Sequence, residues 1–311
     1  MKAVFASLVF TVSGCTLANP AQTQYTVRVI DAETGIPITN ATVQTTFLQK
    51  RDPWGTGKGK ENRVEKSVDE NGEAVLTGRT IQKGEGATAF AEDYYSDIES
   101  FRFTGKNLAL NRWEPWNPTI EVKMRPKKNP VPMVCKSVEW EFKIPKYNTP
   151  VGIDLERGDW VQPYGKGLVS DMMIEIIPFD PPEKGSQCRI TFPNPQDGIQ
   201  EHEFEWPSSE FKWPYLAPTN GYMNMLERNY VLNFPKVANA PKHTMKKDVK
   251  YIIRTRTQID DDGKIISACY GFFPREIRFI PKGEFNFTYY FNPVPNERSM
   301  EWNGVNLLKK K

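Results

Sequence analysis

The stretch VIDAETGIPITNATV, residues 29–43, contains the end of one strand, a tight turn and the start of the next strand. Before the turn, Tyr25–Ile30 alternates apolar and polar side chains, and Ala41–Phe47 alternates in the same way after it. Alternation with a period of two predicts strands that bury one face. Between them, Gly35 permits a positive φ angle and Pro37 restricts the start of the next strand. This stretch therefore predicts two strands joined by a compact turn.

Further strand and turn signals follow along the first third of the chain. The segment DENGEAVL, residues 69–76, places an Asn-Gly pair before a return strand, which is typical of a hairpin. Ala87–Tyr94 and Ile98–Thr104 predict another pair of strands, and TIEVKM, residues 119–124, predicts a closing strand. These signals predict a small β domain over residues 25–126.

These segments resemble a known group of domains. VIDAETGIPITNATV, DENGEAVL and TIEVKM are similar to the pattern of the carboxypeptidase regulatory-like and transthyretin-like β-sandwich group. The polar insertion at residues 50–62 departs from that pattern. The resemblance implies a sandwich of the Ig/transthyretin-like type. It also implies a scaffold without an active site, of a kind that sometimes binds sugars or proteins.

The rest of the chain predicts a second β domain after a short linker. Residues 125–134, RPKKNPVPMV, hold three prolines and two adjacent lysines, which predicts a stiff linker over 127–134. In residues 135–311, Lys250–Ile259 is one of several alternating segments, and only Asn220–Tyr230 predicts a short helix. We therefore expect an all-β protein with little helix and two sandwich-type domains in tandem, the first of Ig/transthyretin-like type.

Composition limits the classes of function. The chain of 311 residues carries 41 Lys and Arg against 38 Asp and Glu, a net charge of +3. This near balance argues against nucleic-acid binding, because such proteins concentrate basic residues on one face. The two histidines, His202 and His243, lie in charged segments without a neighbouring nucleophile motif. The composition therefore gives little support to His-dependent catalysis.

The N-terminus predicts export and a lipid anchor. Residues 1–14, MKAVFASLVFTVSG, place Lys2 before an apolar run that is too short to span a bilayer and suits a signal peptide. The next residue is Cys15, and the sequence Val12–Cys15 is similar to a bacterial lipobox. That resemblance implies acylation of the Cys15 thiol, followed by a polar tether over residues 15–24.

The residue after the cysteine implies a location. Thr16 stands where an Asp would be typical of lipoproteins retained in the inner membrane, so the resemblance implies delivery to the outer membrane. An ordinary secretory signal that is cut near Ala18 or Ala21 remains the alternative.

Three cysteines remain beyond the N-terminus: Cys135, Cys188 and Cys269. An oxidising envelope permits one disulfide among three cysteines. Cys188 with Cys269 is the predicted pair, because both lie in predicted strands of the same region. Three free thiols are the alternative. No two cysteines have a CxxC-like spacing, so no metal site is predicted.

Two segments carry candidate binding residues. Residues 151–167 combine three acids and two aromatic residues with four glycines, and residues 205–215 concentrate aromatic residues. Carboxylates can act on glycosidic bonds, and glycines let a backbone approach a ligand closely. The candidate ligand-binding residues are Asp154, Glu156, Asp159, Trp160, Tyr164, Trp206 and Trp213. The alternatives are a turn with solvated acids in the first segment and core packing in the second.

The sequence as a whole predicts a lipid-anchored envelope protein of structural or binding type that is not an enzyme. Its expected partners are the membrane, through the anchor, and a glycan or an envelope protein. No cofactor is predicted. The alternative is a glycan-acting hydrolase that uses carboxylates of the second domain, such as Asp154, Glu156 or Asp159.

Overall fold

The computed structural model describes residues 19–52, 59–204, 206–232 and 241–308. Within these ranges the chain has twenty-one strands, one 3₁₀ turn at Pro182–Lys184 and no α-helix. The predicted all-β class with sandwich-type domains is confirmed. The predicted signal peptide and the predicted lipidation site Cys15 lie outside the described residues.

The chain divides into two compact units. Unit 1 consists of the chain up to Pro126 together with Ser208–Phe211, and unit 2 consists of Lys127–Pro207 and Lys212–Lys311. The main division therefore falls at the start of the predicted linker. The four-residue segment Ser208–Phe211 belongs to unit 1, although it lies inside the predicted second domain.

Unit 1 is a sandwich of two sheets. Its strands are β1 (Ala21–Asp31), β2 (Thr42–Lys50), β3 (Lys60–Ser67), β4 (Glu73–Thr80), β5 (Gly84–Phe90), β6 (Asp97–Arg102), β7 (Gly105–Asn107), β8 (Arg112–Glu114) and β9 (Thr119–Met124). One sheet has the order β4-β1-β8-β7 with β9 also beside β1, and the other has the order β3-β2-β5-β6. Alternate residues of both sheets, among them Tyr25, Phe47 and Leu76, meet in one core.

The turn at the start of unit 1 matches the prediction. The Asp31 carboxylate oxygen Oδ1 accepts hydrogen bonds from the backbone N–H groups of Glu33 and Thr34, both at 2.8 Å. Gly35 has a φ of +71°, in the left-handed region where a Cβ is disfavoured. The side-chain cap and the glycine together allow the chain to reverse between β1 and β2.

The Asn-Gly turn was expected to close a hairpin, and that expectation is wrong. β3 pairs with β2, whereas β4 pairs with β1, so the turn carries the chain from one sheet to the other. β3 offers no buried side chain, while Ala74 and Leu76 of β4 lie in the core. Gly72 is required in this turn, because a Cβ there would lie 2.8 Å from the carbonyl oxygen of Val29.

Unit 2 is a larger sandwich of two sheets. Its strands are β10 (Val131–Lys143), β11 (Val151–Asp154), β12 (Asp159–Trp160), β13 (Met172–Pro178), β14 (Gly185–Thr191), β15 (Gly198–His202), β16 (Met225–Val231), β17 (Lys250–Ile259), β18 (Ile265–Phe273), β19 (Arg278–Phe279), β20 (Glu284–Asn292) and β21 (Trp302–Asn306). The orders are β15-β17-β18-β20-β10-β21, with β19 beside β20, and β12-β11-β13-β14-β16. Apolar residues of both sheets form a single core.

Two predicted irregular segments contain strand residues. β10 begins at Val131, inside the predicted linker 127–134, and its residues Met133 and Val134 are buried. β1 begins at Ala21, inside the predicted tether, where it pairs with Thr80 of β4. In both places tertiary pairing with a distant strand extends β-structure beyond what the local composition predicts.

The predicted helix at Asn220–Tyr230 is wrong. Residues 225–231 instead form β16, which pairs antiparallel with β14 along its whole length. Leu226 and Val231 are buried in the core of unit 2. The neighbouring strand supplies hydrogen-bond partners and an apolar face, which override a weak local preference.

The predicted disulfide between Cys188 and Cys269 is also wrong, because both are free thiols, as is Cys135. Cys188 lies on β14 and Cys269 on β18, in different sheets of unit 2. The Sγ atom of Cys269 donates a hydrogen bond to the carbonyl oxygen of Pro293 at 3.5 Å. Burial raises the pKa of Cys269 to about 11 and also raises that of Cys188. Burial therefore keeps both thiols protonated and weakly reactive.

Candidate functional site

Asp154 ends β11 and organises the loop that follows it. Its Oδ1 accepts hydrogen bonds from the N–H groups of Glu156 and Arg157, both at 3.1 Å. Its Oδ2 accepts from the N–H groups of Leu168 and Val169 at 2.9 and 3.2 Å. The side chain is buried, with 1% of the residue exposed. Asp154 is thus an internal acceptor that ties both ends of the loop together.

Arg256 on β17 brings three acids into one cluster. Its Nε lies 2.8 Å from Oδ1 of Asp171, and its Nη2 lies 3.1 Å from Oδ2 of the same carboxylate. Its Nη1 lies 2.6 Å from Glu156 Oε2, and its Nη2 lies 3.5 Å from Asp154 Oδ1. The two-point contact with Asp171 is the strong geometry for this pair of groups.

Neighbouring charges and burial shift the pKa of Arg256 in opposite directions. Desolvation lowers its pKa, but the hydrogen bond and the charge of Asp171, together with Glu156, outweigh that effect. The pKa of Arg256 therefore lies above its ordinary value, and the guanidinium stays charged. A partly buried ion of this kind persists because it is paired and hydrogen-bonded.

The backbone of Arg256 is held in an unusual conformation. Its φ is +55°, and the pairing of β17 with β18 is irregular between Thr255 and Gln258. The Asp197 carboxylate accepts hydrogen bonds from the N–H groups of Arg256 and Thr257, at 3.1 and 3.0 Å. Such an irregularity changes the direction of a side chain relative to a regular strand. Asp197 therefore stabilises the conformation in which Arg256 reaches the acids.

The cluster has the geometry of a structural lock. Glycoside hydrolysis needs two carboxyl groups on either side of an accessible bond. Here a guanidinium contacts Asp154, Glu156 and Asp171 directly, and the first and last of these are 1% exposed. The arrangement neutralises charge and fixes the loop after β11 against β17. It does not present a pair of acids to a substrate.

The remaining candidates of this segment have different environments. Asp159 accepts hydrogen bonds from the N–H groups of Trp160 and Lys166, at 2.9 and 3.1 Å. Trp160 is buried and stacks on Phe142, with ring centroids 4.6 Å apart. Tyr164 is 44% exposed. Among the aromatic candidates of this loop, Tyr164 alone offers an accessible ring.

The aromatic segment 205–215 is used mainly for packing. Trp213 is buried in unit 2, with its ring centroid 4.6 Å from that of Phe272, and Trp206 is half-buried. In unit 1, Phe211 stacks on Tyr95 at a centroid distance of 4.8 Å. Trp213 and Phe211 therefore follow the core-packing alternative that the sequence left open.

A second ion network in unit 2 was missed by sequence reasoning. The buried Glu276 accepts hydrogen bonds from the Tyr251 hydroxyl at 2.5 Å, from Arg228 Nε at 3.1 Å and from the N–H of Lys246 at 3.0 Å. Arg228 and Lys246 also pair with Glu201. Burial and the charge of Glu276 raise the pKa of Tyr251. These residues are far apart in sequence, so no local spacing signals the network.

A cavity of about 400 Å³ is lined by Glu201, His202, Glu203, Lys246, Asp248 and Val249. The other histidine, His243, accepts a hydrogen bond at Nδ1 from the N–H of Val231, at 3.2 Å.

In the described part of the chain, no group of three His, Cys, Asp or Glu residues is arranged to hold a metal ion. No helix among the described residues is long and apolar enough to cross a membrane.

Comparisons with known proteins give no family and no named relative. No family model matches the chain, and no curated protein matches it. One similar solved structure is the C-terminal domain of the shaft pilin SpaA from Lactobacillus rhamnosus GG. It is 12% identical and covers 34% of this chain and 98% of its own, with a TM-score of 0.22.

Another similar structure comes from Bacteroides fragilis NCTC 9343. It is a protein of unknown function, to which only a membrane association has been ascribed. It is 10% identical and covers 90% of this chain and 100% of its own, with a TM-score of 0.17. Scores this low carry no argument about function.

Proposed function

We propose that this protein is a lipid-anchored cell-envelope protein of structural or binding type that catalyses no reaction. Its anchor is the acylated thiol of Cys15, and its location is the outer membrane, because Thr16 follows that cysteine. Its partner is a glycan or another envelope protein. The likeness of residues 24–126 to non-catalytic scaffold domains supports this proposal.

One observation carries the non-catalytic part of the proposal. Of the acids that were expected to act on a glycan, Asp154 is buried, and Arg256 contacts both Asp154 and the half-exposed Glu156. A carboxylate whose oxygens already accept hydrogen bonds from a guanidinium and from backbone N–H groups is poorly placed to act as a general base or nucleophile, because a substrate would have to displace those donors. This arrangement favours a structural role for the cluster.

The anchor is tested by Cys15→Ala in the full chain. We expect the wild-type protein to fractionate with membranes and to carry acyl chains on its N-terminal peptide by mass spectrometry. The variant should lose both properties, because lipid chains supply the membrane affinity. The matched control is Cys135→Ala on β10, which should remain in the membrane fraction. Membrane fractionation of Cys15→Ala, with no acylated wild-type peptide, would contradict the anchor.

The binding role is tested with the detergent-solubilised full chain on a glycan array and in affinity capture from envelope extracts. We expect retention of a partner and no release of reducing ends from any glycan on the array. The hydrolase alternative would be favoured if the wild-type protein cleaved a glycan and Glu156→Gln abolished that cleavage while remaining folded. Glu156 suits this test because its side chain is half exposed.

A further inference from the structure

A groove opens in unit 1 where β2 and β5 separate. The regular pairing of these strands ends at Gln44 opposite Thr88. Beyond that point, the hydroxyl groups of Thr45 and Tyr25 both donate to the carbonyl oxygen of Gly86, at 2.7 and 2.9 Å. The cavity beside them measures about 610 Å³. This volume falls within the range of roughly 300–1,000 Å³ that is typical of small-molecule sites.

The groove contains a buried acid without a full set of partners. Glu85 on β5 is 5% exposed, and its Oε1 has no hydrogen-bond partner among the described residues. Burial raises the pKa of Glu85 to about 7, although a hydrogen bond from Thr80 lowers it. Buried polar atoms in folded proteins almost always have a partner. The unpaired oxygen therefore points to a donor that comes from outside the chain.

The other groove residues indicate the chemistry of that donor. The walls carry the hydroxyl groups of Thr46 and Ser100, the amide of Gln82, the ring of Phe101 and the guanidinium of Arg102. The lining carries one acid, Glu85, and one base, Arg102, so it offers no cluster of like charges to hold an ion. Hydroxyl and amide groups both donate and accept hydrogen bonds, which matches a ligand whose hydroxyl groups do the same.

We propose that this groove binds a neutral, hydroxyl-rich molecule of the saccharide class, with a ligand hydroxyl donating to Oε1 of Glu85. The Phe101 ring supplies an apolar wall against the carbon face of the ligand. The missing side chain of Gly84 allows the ligand to approach the strand backbone, because a Cβ there would meet no atom closer than 3.7 Å. This proposal rests on the proposed function only because it takes a glycan as the partner. The residues that line the groove all lie in unit 1.

Two variants remove different parts of the site. Glu85→Met removes the acceptor and replaces it with an apolar side chain of similar length, which a buried position tolerates. Gly84→Leu fills the groove. A Cβ at Gly84 would meet only Cγ of Arg102 and the carbonyl oxygen of Phe101, both at an ordinary 3.7 Å. Glu99→Gln on β6 is the matched control, because Glu99 is exposed and does not line the groove.

The experiment is a calorimetric titration of the full chain with glucose, galactose, N-acetylglucosamine, maltose and cellobiose, and separately with putrescine. We expect at least one saccharide to bind the wild-type protein and Glu99→Gln equally. Glu85→Met and Gly84→Leu should each weaken that binding at least about tenfold, by the loss of one hydrogen bond to a buried acid or by steric exclusion. Circular dichroism checks the fold of each variant, and Gly84→Leu decides the outcome if Glu85→Met is unfolded.

Three outcomes would overturn the proposal: no saccharide binds, putrescine binds in place of saccharides, or saccharide binding survives both groove variants. The last result would leave the proposed function standing, because the glycan would then bind elsewhere on the protein. If no saccharide binds, the proposals of a lipid anchor and of a protein partner are unaffected, because the Cys15→Ala fractionation tests the anchor separately. The two proposals therefore fail in distinguishable ways.

Discussion

The two units treat a buried carboxylate in opposite ways. In unit 2, Asp171 is buried but receives two hydrogen bonds from Arg256 and a third from the N–H of Leu155 at 2.8 Å. In unit 1, Glu85 is also buried, with 5% of the residue exposed, yet one of its oxygens has no partner among the described residues. Burial raises the pKa of both carboxyl groups, but only Asp171 has donors from its own chain at both of its oxygens.

The difference indicates which site is open to a ligand. Three acids around one guanidinium, together with backbone donors, already satisfy the cluster in unit 2, so a ligand would have to displace internal contacts. The groove around Glu85 has both space and an unused acceptor. A buried acid therefore suggests binding only where its own chain has left it incomplete.

The largest expected effect comes from Arg256→Met. The substitution leaves Asp171 buried without its counter-charge, while Asp154 keeps only Arg157 at 3.8 Å, and breaking a buried pair in this way costs about 3–5 kcal/mol. Urea unfolding at neutral pH should show this loss in the transition of unit 2. Adding Asp171→Asn to the variant should recover part of the stability, because one unpaired charge is then absent.

The control for that prediction is Arg189→Met on β14. Arg189 pairs with Glu175 and Glu227, but its side chain is 36% exposed, so the expected loss is at most about 1 kcal/mol. Equal losses for the two arginine variants would mean that burial does not distinguish the Arg256 cluster from a surface pair. The structural-lock interpretation would then be wrong.

The next largest effect is a pH dependence of the free energy of unfolding that is caused by Glu85. Its pKa is raised from 4.5 to about 7, so the folded state retains a proton that the unfolded chain has released between these values. Stability should therefore fall as pH rises from about 4.5 to about 7, by up to about 3 kcal/mol at 1.36 kcal/mol per pKa unit. Glu85→Gln should abolish this loss and be more stable than the wild type at about pH 8.

Thermal unfolding at about pH 4 and about pH 8 measures this difference. The two proteins should be similar at the lower pH, where Glu85 is protonated in both the folded and the unfolded states. Glu99→Gln should follow the wild type at both pH values, because Glu99 is exposed on β6. A Glu85→Gln variant with the same pH profile as the wild type would show that Glu85 is not an isolated buried acid.

The smallest effect is expected at the exposed end of the cluster. Glu156 lies 2.6 Å from Arg256, but half of its side chain is exposed. Glu156→Gln should therefore cost less than about 1 kcal/mol, and the cost should shrink further in high salt because water and ions screen the pair. Urea unfolding at two salt concentrations checks this. A loss as large as that of Arg256→Met would place Glu156 within the buried lock.

Local sequence predicted the strands well where alternation was strong. TIEVKM and KYIIRTRTQI coincide with β9 and β17 at both ends, and the turn at Gly35 has the expected positive φ. Prediction failed where a distant strand decided the outcome, as at residues 225–230, which were expected to be helical and belong to β16. The alternation of apolar and polar residues shows which side of a strand faces the core, but it carries no information about which strand pairs with it.

The sequence by itself determined the all-β class and the positive φ of the turn at Gly35, because these depend on side-chain periodicity and on glycine and proline over short distances. Only the tertiary structure decided what the acids do. Arg256 lies 85 residues beyond Asp171, and its reach depends on an irregular pairing held by Asp197. The hydrogen bonding of Glu85 could not be predicted from the sequence either, because it depends on the positions of side chains from several strands.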